Sequence, residues 1–84
     1  MEYKVKIRPR AERELNSLPK KDYYKILSTF TYLAKDPYIG KKMHGECEGC
    51  YNYRVWPYRI IYTILKKELV VLIIRIGHRQ GIYN

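Results

Sequence analysis

The sequence predicts an α+β fold in which an N-terminal strand is followed by a helical hairpin and then by a three-stranded antiparallel meander. Three observations predict it. The first residues alternate between charged and apolar side chains. Two stretches then carry apolar residues at helical spacing, and three β-rich runs follow with only short gaps between them.

The opening EYKVKIR puts Tyr3, Val5 and Ile7 on one side of a strand and Lys4 and Lys6 on the other. Pro9 ends that strand and suits the first turn of a helix, in which Ala11, Leu15 and Leu18 follow at helical spacing. The break at SLPKKDYY starts a second helix, with Ser17 read as its cap and Pro19 as a first-turn residue. Its apolar stripe is Tyr23, Ile26, Leu27, Phe30, Leu33 and Ala34, with Lys20, Lys21, Lys25 and Ser28 opposite. The KDP of residues 35–37 stops it.

Residues 38–49 hold three glycines and no periodicity, and read as a loop. YNYRVW, YRIIYTIL and LVVLIIRI then read as strands, with Pro57 at the first junction and Lys66 to Glu68 at the second. Gaps this short connect antiparallel neighbours. With 84 residues, the chain reads as one domain spanning residues 1–84.

Seventeen Lys and Arg against eight Asp and Glu give a formal net charge of +9 and a pI near 9.7. Such a bias calls for a polyanion or an acidic protein as partner. The longest apolar run, Leu69 to Ile74, is too short to span a bilayer, and MEYKVKIRPR has no signal-peptide core. The expected location is therefore the cytoplasm, with no membrane partner.

Alternation also sorts the sheet. Tyr51, Tyr53 and Val55 share one face with Tyr58, Ile60, Tyr62 and Ile64; Asn52, Arg54 and Trp56 share the other with Arg59, Ile61 and Thr63. The more apolar face must meet the helices, which leaves Arg54 and Arg59 together on the far side. Two neighbouring guanidiniums are either solvated or hold an anion such as phosphate between them. The ending RIGHRQGIYN adds His78, Arg79 and Tyr83 after Gly77, which permits a turn back toward the same face. There the three either complete a metal-free ribonuclease site or, in the alternative, Tyr83 packs the tail down and His78 lies in solvent.

HGECEGC places Cys47 and Cys50 in a CxxC with His44 three residues before. A zinc site needs four ligands, and only His78 remains elsewhere as a nitrogen donor. Two loop thiols are the reading adopted; a stabilising disulfide is the alternative in a hyperthermophilic source. No metal or cofactor is expected.

LNSLPKKDYYKI, GCYNYRVWPYRIIYTI and VVLIIRIGHRQGIY, in that order and over essentially the whole chain, resemble the RelE/ParE superfamily of bacterial and archaeal toxins. The resemblance implies a RelE-like toxin of a type II toxin–antitoxin system. RelE-type toxins act as ribosome-dependent mRNA interferases, driving the ribose 2′-hydroxyl onto the adjacent phosphate of A-site mRNA without metal. Residue by residue, it puts Arg54 where the family has a strand Lys, Arg59 at the Arg of the YR motif, Arg79 at the post-strand Arg and Tyr83 at the terminal Tyr. His78 is a reserve acid or base. Asn52, Arg75, Lys41 and Lys42 are expected to contact RNA. Asn52 stands where the family has a second strand Lys, and it cannot act as a base. The implied partners are the ribosome, mRNA and an acidic RelB-like antitoxin in a hetero-oligomer. The alternatives are a ParE-type gyrase inhibitor and a catalytically inactive antitoxin-binding homologue.

Overall fold

The computed structural model of the protein describes residues 2–45 and 47–78. The chain runs β1 (Lys4–Ile7), α1 (Pro9–Asn16), α2 (Lys20–Lys35), a 3-10 turn (Pro37–Ile39), β2 (Lys41–Lys42), β3 (Cys50–Val55), β4 (Tyr58–Leu65) and β5 (Val70–His78). The strands form one mixed sheet in the order β1-β5-β4-β3-β2. The expected α+β class and the β3-β4-β5 meander are present. Beyond the expectation, β1 pairs in parallel with β5, Lys4 opposite Val70 and Ile7 opposite Ile73.

Both helices lie on one face of this sheet. Ala11 and Leu15 of α1 and Ile26, Phe30 and Leu33 of α2 pack against Ile60, Tyr62, Val71, Ile73 and Ile76. Burying an aliphatic side chain of this size contributes roughly 1.5–3 kcal/mol, so this layer is the main source of stability. A smaller cluster, Met43, Cys50 and Ile61, lies apart from it, with Cys47 and Ile74 against it. Among the described residues, no helix is long and apolar enough to cross a membrane.

Ser17 does not cap α2. It ends α1: its backbone is still helical (φ −84°, ψ −7°), and its hydroxyl donates to the Glu14 carbonyl at 2.8 Å. An N-cap needs extended backbone, which Pro19 provides instead (φ −54°, ψ 148°), so Pro19 precedes the first turn of α2 rather than lying in it.

The 38–49 segment is more structured than its composition suggests. The 3-10 turn is capped by Asp36, whose carboxylate accepts from the Tyr38 N–H at 3.1 Å. Lys41 and Lys42 then pair with Asn52 and Tyr51. Two-residue strands leave no periodicity to read. The segment is anchored by Tyr62, whose hydroxyl donates to the Pro37 carbonyl at 2.6 Å and accepts from the Gly40 N–H at 3.1 Å. Burial pushes the Tyr62 phenol up to about 12. A Cβ on Gly40 would collide with that hydroxyl, so this position requires glycine.

Two further expectations are corrected. Cys47 and Cys50 are joined in a disulfide with Cα atoms 5.4 Å apart, rather than held as two thiols. The chain also does not turn at Gly77. Gly77 pairs with Arg59 and His78 with Tyr58, so the ladder with β4 carries β5 straight through.

Candidate functional site

The β3–β4 hairpin turns at Trp56–Pro57, through a cis peptide bond, and brings Arg54 and Arg59 directly opposite each other. Opposed residues in an antiparallel pair have Cβ atoms about 5 Å apart, and like charges there are destabilising unless something compensates. Arg54 is exposed, whereas Arg59 is half-buried. Arg59 Nη1 donates to Asn52 Oδ1 at 3.0 Å, and Asn52 Nδ2 donates in turn to the Lys41 carbonyl at 3.4 Å. One amide therefore links β2, β3 and β4 and fixes a guanidinium among them.

These residues surround an open groove of about 320 Å³, lined by Ile39, Gly40, Lys41, Asn52, Tyr53, Arg54 and Arg59. Its charged lining is cationic: Lys41 and two arginines, with no carboxylate among the lining residues described. Chemically the groove offers several N–H donors on the Arg54 and Arg59 guanidiniums. Such an array suits an oxyanion carried by a phosphodiester. Asn52 contributes orientation and no titratable group.

The structure brings Arg54, Arg59, Asn52 and Lys41 together. Lys42 pairs with Tyr51, so strand alternation sends it to the other face of the sheet. Arg75 lies elsewhere too. Its guanidinium grips the Glu14 carboxylate of α1, with Nη2 to Oε2 at 3.0 Å and Nε to Oε2 at 3.1 Å. Glu14 Oε1 also accepts the Ile76 N–H at 2.9 Å, beyond the point where β1 stops pairing with β5. Arg75 thus ties α1 to an otherwise open stretch of strand.

His78 is not beside the arginine pair. Its ring meets Tyr58 edge-on with centroids 6.1 Å apart, and Tyr58 donates to the Asp22 carboxylate of α2 at 2.6 Å. That hydrogen bond, more than burial, raises the Tyr58 phenol. The reason for the placement of His78 is register: it pairs with Tyr58 and shares its face, while Gly77 takes the position opposite Arg59. Arg79 and Tyr83 lie outside the described residues.

Sequence reasoning did not anticipate that Asn52 holds Arg59, or that Ile39, Gly40 and Tyr53 line the groove. Alternation already put Asn52 and Arg59 on one face; the missing information was that β2 would supply Asn52 with a carbonyl to donate to. The role of Glu14 left no local trace, because its partner is 61 residues away.

Residues 5–83 match the family described as "ParE toxin of type II toxin-antitoxin system, parDE". Toxin RelG of Mycobacterium tuberculosis is 32% identical over 86 aligned positions, covering 100% of this chain and 99% of that protein. Among solved structures, the toxin–antitoxin complex RelBE2 from Mycobacterium tuberculosis contains a chain that superposes with a TM-score of 0.88 at 30% identity, covering 94% of this chain and 100% of that one. A chain of the archaeal RelE–RelB complex from Pyrococcus horikoshii gives 0.77 at 30% identity, covering 96% and 99%.

Proposed function

The chain belongs to the ParE toxin family of type II toxin–antitoxin systems, within the RelE/ParE superfamily, and from that premise we propose that it is a metal-free endoribonuclease that cuts mRNA on the ribosome. The observation that carries this reading is the Arg54–Arg59 pair, with Arg59 held by Asn52 in a groove whose described lining carries only positive charge. A catalyst of 2′-hydroxyl attack must neutralise charge that grows on the phosphoryl oxygens. Preorganised guanidiniums do that without reorganising during the reaction.

In the proposed reaction the ribose 2′-oxygen attacks the adjacent phosphorus and the bond to the 5′-oxygen breaks. A 2′,3′-cyclic phosphate and a 5′-hydroxyl result. The 2′-hydroxyl proton leaves with the attack, and a proton reaches the departing 5′-oxygen. Arg54 and Arg59 bind the phosphate and its transition state. Arg79 supplies a third cation, and Tyr83 stacks on the nucleotide or exchanges a proton. His78, whose ring lies against Tyr58, is given no step in this proposal. An enzyme acting on ribosomes would work in the cytoplasm.

The partner that silences it is an acidic antitoxin. The relatives from Mycobacterium tuberculosis and Pyrococcus horikoshii were solved as toxin–antitoxin complexes, and a chain of net charge +9 favours an acidic companion.

Incubating the purified protein with ribosomes programmed with a defined A-site codon tests the reading. Wild type should cut, and Arg59→Ala should lose about a hundredfold in rate, the usual cost of one preorganised donor. Arg79→Ala and Tyr83→Phe locate the remaining chemistry. Two observations favour a second reading: Asn52 stands where the resemblance puts a strand lysine of the mRNA-cutting branch, and the matched family takes its description from ParE. Inhibition of DNA gyrase supercoiling by folded protein that leaves mRNA intact would select it.

A further inference from the structure

Helix α2 has a solvent face that its packing does not explain. The helix carries four lysines, and at 100° per residue Lys20, Lys21, Tyr24, Lys25, Tyr32 and Lys35 all fall within a sector of about 140°. All six are exposed, with Tyr24 and Tyr32 at 55% and 64%. The one acid of the helix, Asp22, is turned away from this sector to accept from Tyr58.

A face that merely meets water normally mixes signs, because lysines at i and i+4 such as Lys21 and Lys25 repel. This one accepts that repulsion and adds two exposed phenols. Tyr24 is braced edge-on against Tyr23, with ring centroids 5.3 Å apart. Between the tyrosines, Ser28 folds its hydroxyl back onto the Tyr24 carbonyl at 3.0 Å, which turns that polar group away from any ligand on the face. Lys25 leans toward the β3–β4 hairpin, where its Nζ donates to the Trp56 carbonyl at 3.1 Å. Trp56 is itself 58% exposed and sits two residues beyond Arg54. The lysine face therefore joins the tip of the hairpin that carries the arginine pair.

We propose that this face is a second RNA-binding surface, on which a single-stranded or looped RNA runs from the hairpin tip along α2, its phosphates against Lys20, Lys21 and Lys35 and its bases against Tyr24 and Tyr32. Cations that track a backbone, interleaved with aromatics that stack on bases, are the combination by which proteins hold unpaired RNA. The surface extends the cleavage reading and rests on it for the choice of RNA as the polyanion. Its place on a different element from the groove separates holding RNA from cutting it.

The test is fluorescence anisotropy with a short, labelled 2′-O-methyl RNA single strand, which cannot be cut by 2′-hydroxyl attack. The triple variant K20Q/K21Q/K35Q should lower the slope of log affinity against log salt by about 2, close to 0.7 for each phosphate no longer neutralised. Y24A/Y32A should weaken binding about thirtyfold or more, and Y24F/Y32F should restore it, since the ring rather than the hydroxyl stacks. Circular dichroism melting checks that each variant is folded. Because the probe is uncleavable, a protein that fails to cut mRNA still gives a valid answer here. An unchanged slope in the folded triple variant overturns the proposal. So does a triple variant that weakens for poly-glutamate and RNA equally while Y24A/Y32A binds RNA as wild type does, which would assign the face to an acidic protein.

Discussion

Arg59 donates from Nη1 to Asn52 Oδ1 at 3.0 Å, so the guanidinium that faces Arg54 across the hairpin is oriented by a neutral amide. The distinction matters for an anion site. A carboxylate at position 52 would offset the charge of Arg59 and repel phosphate; an amide fixes its direction without cancelling that charge.

Removing the amide should therefore affect catalysis more than folding. In Asn52→Ala, kcat for A-site cleavage should fall about tenfold, as expected when a donor loses about 1.4 kcal/mol of orientation, with little change in melting temperature. Asn52→Asp should keep Arg59 in place but raise KM for RNA through repulsion. Steady-state kinetics on the two variants separates the effects. Identical kinetics in both would remove the positioning role.

Gly40 approaches the Tyr62 hydroxyl so closely that a methyl group does not fit. Gly40→Ala must displace either the phenol or the chain entering β2. Urea unfolding should show a loss of about 1–3 kcal/mol, the scale of leaving buried hydrogen-bonding groups unpaired. Since Gly40 and Lys41 line the groove, RNA cleavage should decline in the same variant.

The buried Tyr62 phenol has its pKa raised from 10.0 to about 12, so the folded state favours the neutral form. The stabilisation is complete below pH 10 and is lost as pH rises from 10 through 12, a change on the order of 2 kcal/mol. Tyr62→Phe should be less stable at neutral pH, because Pro37 and Gly40 lose their partner. Its stability should also decline less between pH 10 and 12, as measured by denaturant titration at each pH.

Glu14 joins α1 to β5 through Arg75 and the Ile76 N–H. Its partly exposed ion pair alone is worth little, whereas the backbone N–H under the helix loses its acceptor when the carboxylate is removed. Glu14→Ala should cost about 1–3 kcal/mol, and Arg75→Ala less. Amide hydrogen exchange at Ile76 reads the difference directly, accelerating in the first variant and holding near wild type in the second.

Period-two alternation and a short turn were sufficient to place Arg54 beside Arg59 on the face away from the helices, since a hairpin fixes its own register. The same local rules gave both helices. Local rules failed at Ser17, where a capping residue closes the preceding helix instead of opening the next, because the choice depends on one residue's backbone angles. They could not supply pairings between distant segments. Those include β1 against β5, Lys41 against Asn52 and Glu14 against Arg75. His78 is the clearest case: the sequence offered it a turn after Gly77, and the β4–β5 ladder carried it past that glycine to the side of Tyr58. The sequence by itself determined which side chains share a strand face, a helix face and a charge. Only the tertiary structure decided which of them meet, because closing the sheet selects one register among those that the alternation allows.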